Sequence, residues 1–180
     1  WTKGNAIVTG STFQGNASSQ EGGGVYSIGT TTIADSLFEA NDAGGGAAVW
    51  ADGSVDIEAS RFNENVAQQS GGGISVFGGQ VTVLDSRFDR NAASEGGGAL
   101  QNEGGDVSLT SVVFTTNRAG IGGAIRNGQN GRLSATTTLI TANGATVSGG
   151  GIRNEGSLSL VNVTVVGNTA SVRGGGIECD

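Results

Sequence analysis

Apolar and polar residues alternate along this chain in runs too short for helices. In Val81-Thr82-Val83-Leu84-Asp85-Ser86-Arg87-Phe88, Val81 and Val83 flank Thr82, the two-residue period of a strand with one buried face. The same pattern aligns Ala6, Thr31, Val55, Val81, Val107, Leu133 and Leu158 in one column. Val8, Ile33, Ile57, Val83, Leu109, Ala135 and Leu160 form another, two residues on. Between them runs a mostly polar column of Ile7, Thr32, Asp56, Thr82, Ser108, Ser134 and Ser159. Apolar columns facing in and Ser/Thr columns facing out predict strands. A helix cannot hold that alternation, and each interior glycine would cost it about 1 kcal/mol. A second strand is expected after the glycine runs, as in Ile74-Ser75-Val76, Ile125-Arg126-Asn127, Ile152-Arg153-Asn154 and Ile177-Glu178-Cys179. A third, shorter one is expected around the motif Phe-x-x-Asn.

That motif is periodic. It occurs at Phe13/Asn16, Phe38/Asn41, Phe62/Asn65, Phe88/Asn91 and Phe114/Asn117, with degenerate copies at Ile140/Asn143 and Val165/Asn168. Successive copies lie 24–26 residues apart. A second motif, Gly-Gly-[Gly/Ala]-apolar, keeps the same period and ends at Val25, Ala48, Ile74, Leu100, Ile125, Ile152 and Ile177. Three short strands and three turns in such a period make one rung of a parallel β-helix, in which each strand pairs with its equivalent about 4.8 Å away. The chain therefore reads as one all-β repeat domain, residues 1–180, of about seven rungs. Phe13, Phe38, Phe62, Phe88, Phe114, Ile140 and Val165 should stack inside. Asn16, Asn41, Asn65, Asn91, Asn117, Asn143 and Asn168 should form an amide ladder at an inward bend. The glycine triplets supply positive φ and a missing Cβ at a tight corner. No phosphate loop is written into them, since Lys3 is the only lysine.

Gly-Gly-Ala-Leu at 97–100 and Gly-Gly-Ala-Ile at 122–125, alternating with Phe-x-x-Asn, resemble the repeat pair of the polymorphic outer membrane proteins. That resemblance spans the whole chain and implies a single-stranded, right-handed parallel β-helix of the pectin-lyase-like kind. It also implies a secreted, surface-displayed adhesin role, extracellular or on the cell surface. No barrel-like segment occurs here, so autotransport is not expected.

Composition narrows the chemistry. Glycine accounts for 35 of 180 residues, while histidine, proline and methionine are absent. Without histidine there is no Ser-His-Asp relay, Cys-His pair or His-ligated metal site. The net charge of −7 disfavours nucleic acid and anionic membranes, both of which require clustered Lys and Arg. No apolar run is long enough to insert as a transmembrane span. The carboxylates Asp35, Asp56, Glu58 and Asp85 stand on outward positions, with Ala59 interrupting the Asp35–Asp85 column. Parallel side chains on a convex face do not converge as glycoside hydrolysis requires. Arg61 and Arg87, near Asp85 and Asp89, form the one patch that would suit an acidic polysaccharide. The expectation is a structural or adhesin-type rod with no catalytic residues, cofactor or metal. A carbohydrate-active or glycan-binding β-helix is the alternative, with surface glycans as candidate partners.

The two ends bear on self-assembly. The chain starts inside a rung and stops after Gly174-Gly175-Gly176-Ile177-Glu178-Cys179-Asp180, without the polar caps that solenoids normally carry. Asn102 precedes Phe114 by 12 residues and Asn127 precedes Ile140 by 13, and a second copy joined after Asp180 would place its Phe13 14 residues beyond Cys179. Head-to-tail stacking into a filament follows as an expectation. Its seam would comprise Trp1, Ala6, Val8, Phe13, Ile177 and Cys179, with Cys179 in the column of Asn102, Asn127 and Asn154 and its thiol buried at the seam.

Overall fold

The computed structural model describes residues 4–180, which contain strands, bridges, bends and turns and no helix. Its strands form three sheets of twelve, seven and six members. The chain coils as a parallel β-solenoid of about seven rungs, visiting the three sheets in turn. Registers follow the columns of the sequence: Ala6 pairs with Thr31, Thr31 with Val55 and Val55 with Val81, then Val81 with Val107, Leu133 and Leu158 in turn. The residues between them point outward, and Asp56, Ser108 and Ser134 are exposed.

A rung holds four strand segments rather than three. One rung comprises Leu100–Asn102, Asp106–Thr110, Val113–Thr115 and Arg118–Ile121. The first two belong to the same sheet. In two rungs these merge into the single long strands Val49–Glu58 and Ile74–Leu84. The unforeseen segment follows the ladder asparagine. It packs inward through Ala43, Ala67, Ala93, Ala119 and Ala145, all buried, and their short side chains let this sheet lie close to the core.

Each rung turns three corners, and at each corner one residue is left-handed. The first corner uses Gly10, Asp35, Ala59, Asp85, Ser111, Thr137 and Asn162, and the second uses Gly15, Ala40, Glu64, Arg90, Thr116, Ala142 and Gly167. The third uses glycine in every rung, from Gly22 to Gly174, with φ of +56° to +70°. Its demand is steric: a Cβ on Gly71 would lie 2.6 Å from the Ile74 carbonyl oxygen and 2.9 Å from the Ser75 Cβ.

Ladders of identical residues hold the corners. Phe13, Phe38, Phe62, Phe88 and Phe114 stack with ring centroids 4.5–4.9 Å apart. Ile140 and Val165 continue the register. At the second corner each interior ladder asparagine, from Asn41 to Asn143, uses both side-chain donors and accepts two bonds at Oδ1. Asn91 Nδ2 donates to Asn117 Oδ1 at 3.0 Å and to the Phe62 carbonyl at 2.9 Å. Its Oδ1 accepts from Asn65 N at 3.1 Å and Asn65 Nδ2 at 2.9 Å. The same pattern joins Asn16 to Asn41, Asn41 to Asn65, Asn117 to Asn143 and Asn143 to Asn168. A serine ladder supports the first corner: Ser60 Oγ accepts from Ser36 N at 3.1 Å and donates to the Glu58 carbonyl at 2.7 Å. A second asparagine ladder joins Asn102, Asn127 and Asn154, with Nδ2–Oδ1 distances of 2.8 Å.

Candidate functional site

The third corner creates the main departure from a uniform rod. Because the left-handed glycine turns the chain sharply, the residues on either side of it face each other across a re-entrant angle. The column before the turn runs Glu21, Gly45, Ser70, Gly96, Ile121, Ser148 and Arg173. The column after it runs Tyr26, Trp50, Ser75, Gln101, Arg126, Arg153 and Glu178.

In the first half of the rod the floor of this angle is small and open. Gly45 and Ser70 leave a groove of about 580 Å³, lined by Trp50 and Phe77 on one side and by Gln20 and Gln69 on the other, with Glu21, Glu95 and Glu103 around it. Tyr26 stacks beneath Trp50 with centroids 4.5 Å apart and planes 3° apart. Phe77 continues the pile at 6.0 Å, tilted by 23°. A bulge puts Phe77 there: Val76 pairs with Ala51 and Gly78 with Asp52, leaving Phe77 as the extra residue. Its side chain is 61% exposed. On the next rung Glu103 N bonds the Val76 carbonyl at 2.8 Å, which puts Glu103 directly above Phe77. All the charged residues lining the groove are glutamates. Glu21 and Glu95 make no ion pair with another described residue.

In the second half the same angle is filled. Arg126 lies across Gly96, where an added Cβ would meet its Cδ at 2.8 Å, and pairs with Glu103 at 3.5 Å and Glu155 at 2.9 Å. Arg153 pairs with Glu155 at 3.3 Å, with Glu178 at 2.8 Å and with Asp180. Arg173 reaches Glu178 at 3.0 Å. The Ser148 hydroxyl facing its carboxylate, with Arg153 and Arg173, holds Glu178 below the usual carboxylate range against the opposing effect of desolvation. Burial alone would lower the Arg153 guanidinium, but Glu178, Glu155 and Asp180 raise it above its ordinary value.

The patch singled out from sequence lies on the second sheet. Arg61 and Arg87 are neighbours in register beside a shallow depression of about 260 Å³ that includes Glu39, Asn63 and Asp89. Asp89 is already engaged, by Arg90 at 3.2 Å, Arg87 at 3.9 Å and the Thr116 hydroxyl at 2.7 Å. Asp85 sits at the preceding left-handed corner with φ +47° and does not line the depression. Asp35 occupies the equivalent corner two rungs away, with Ala59 between.

Of the seam residues, Ala6 and Val8 lie on Asn5–Thr9 and Phe13 on Thr12–Gln14. Ile177 and Cys179 lie on Ile177–Cys179, and Trp1 lies outside the described residues. Cys179 pairs in register with Asn154, and its thiol is free and exposed. Sequence reasoning missed the aromatic pile and the serine ladder. Ser-x-Phe recurs at Ser11, Ser36, Ser60 and Ser86, and that spacing was the available signal for the ladder. Tyr26 and Trp50 are 24 residues apart, one period, but the bulge displaces Phe77 from the repeat.

Comparisons of the chain with protein-family models, with curated proteins and with solved structures found no match.

Proposed function

We propose that this protein is a non-catalytic extracellular rod, a structural or adhesin-type β-solenoid that works by presenting side chains at fixed intervals. The observation that supports this reading is the ladder system. Asparagine, serine and phenylalanine ladders fix successive rungs, so each outward column is a rigid row with a one-rung spacing. Such a surface suits repeated weak contacts along an extended partner or a cell surface. The resemblance to polymorphic outer membrane protein repeats agrees with this role, with a right-handed coil and with secretion.

A polysaccharide-degrading role finds less support. Its best carboxylate, Asp89, is held by two arginines and a threonine, and Asp85 stands off the arginine pair at a corner. The test is incubation of the purified chain with a panel of acidic and neutral polysaccharides, alongside a pull-down on the same polymers immobilised. Retention or surface attachment without turnover is the expected result. Turnover abolished by Asp85→Asn or Asp89→Asn would overturn the proposal in favour of an enzyme.

A further inference from the structure

The Tyr26–Trp50–Phe77 pile ends on an open face. The lower rings cover one another, whereas Phe77 is 61% exposed, and Glu103, on the next rung, lines the same groove. The next member of the backbone column, Gln101, does not extend the pile. It is fully buried, and its Nε2 donates to Glu103 Oε1 at 2.8 Å. Glu95 lines the same groove without an ion pair among the described residues. An aromatic face flanked by carboxylates attracts a planar cation, because the ring quadrupole and the carboxylates act in the same sense.

We infer that this groove is a docking site for an extended basic segment of a partner protein, with an arginine guanidinium stacked on Phe77 and hydrogen-bonded to the glutamates. Charge selects the occupant. The groove carries three glutamates and no lining cation, on a chain with a net charge of −7. The filled half of the same corner offers an internal precedent, since there Arg126 occupies the angle and pairs with Glu103 and Glu155. A guanidinium from outside would extend that arrangement by one rung toward the aromatic pile. Shape agrees as well: Gly44, Gly45 and Ser70 keep the floor low across two neighbouring rungs, giving a trough that ends where Arg126 covers Gly96. The aromatic pile makes arginine fit better than lysine, whose compact ammonium cannot stack as a plane.

The experiment is calorimetric titration of the whole chain with a short peptide of alternating glycine and arginine. The lysine and glutamine versions of that peptide and a neutral cello-oligosaccharide serve as comparison ligands. Binding of the arginine peptide should weaken about tenfold in Phe77→Ala and in Glu95→Gln. It should be unchanged in Asp56→Asn, which removes an exposed carboxylate on the first sheet. Phe77 and Glu95 are both exposed, so both variants should fold, and far-UV dichroism checks that they do. Absence of arginine-peptide binding, equal weakening by Asp56→Asn, or preference for the oligosaccharide would each overturn the assignment. Equal affinity for the lysine peptide would overturn the stacked guanidinium.

Discussion

Asn91 and Asn117 are joined by two hydrogen bonds to a single atom: Asn117 Oδ1 accepts from Asn91 N at 2.9 Å and from Asn91 Nδ2 at 3.0 Å. A side-chain amide is the only neutral group in the standard set that can pass this pattern along a column, because it needs two donors and a doubly accepting oxygen. Asn91→Asp should therefore do more than remove a bond. The new oxygen would face the Phe62 carbonyl and Asn117 Oδ1, both acceptors, in a fully buried site. A loss of about 3 kcal/mol or more is expected at neutral pH. Burial and the facing oxygens raise the folded-state pKa of that carboxyl, so the loss should grow as pH rises through the unfolded value and shrink in acid. Urea unfolding at several pH values measures it, and a pH-independent deficit would contradict the argument.

Phe88 sits between Phe62 and Phe114 at 4.5 and 4.9 Å and is fully buried. Phe88→Ala should cost about 3–5 kcal/mol, the usual range for an uncollapsed aromatic cavity. Because solenoid rungs contact mainly their neighbours, hydrogen exchange should accelerate first around Phe62 and Phe114. Uniform acceleration over all rungs would show a more global cooperativity than nearest-neighbour packing gives.

The corners differ in what they tolerate. Ala59 is left-handed at φ +47°, and Ala59→Gly removes that strain while adding unfolded-state entropy, for a net change within about 1 kcal/mol and favourable in sign. Gly71→Ala meets the Ile74 carbonyl at 2.6 Å and should cost about 2–3 kcal/mol. Thermal melts of the two variants should move in opposite directions.

Glu178 gives the rod an acid-sensitive contact. Its carboxyl is held below the usual range by the Ser148 hydroxyl and by Arg153 and Arg173. A depressed folded pKa contributes stability above the unfolded carboxylate value, and that stability is lost as pH falls through the folded one. Wild type should thus exceed Glu178→Gln in melting temperature near neutrality, and the two should converge in acid. A constant difference would mean that packing, not charge, is what the substitution removes.

Much of this architecture is legible in the sequence, for a physical reason. In a parallel solenoid, residues one period apart are spatial neighbours, so Phe13 to Phe114 and Asn16 to Asn168 write their contacts directly into the spacing. The strand after the ladder asparagine was hidden because its inward residues are alanines such as Ala67 and Ala93, which barely register as an apolar pattern. The left-handed corners were hidden for the opposite reason. Ala59, Glu64 and Arg90 adopt positive φ although their residue types do not favour it, because the ladders beside them impose it. The aromatic wall of the groove is completed by a one-residue bulge at Phe77, and a local insertion breaks the periodicity through which the rest is read.

The main asparagine ladder also gives the molecule an electrical axis. Six side-chain hydrogen bonds join its seven amides, each with its donor on the earlier rung and its acceptor on the later one. The amide dipoles consequently all point one way, with their positive ends toward the later rungs, and each polarises the next in a dry interior. Successive backbone peptide groups along each parallel strand point alternately up and down the rod, so their axial dipoles largely cancel, whereas this row does not. The described rungs therefore carry a built-in polarity along the length of the rod, set by a single residue type repeated once per turn.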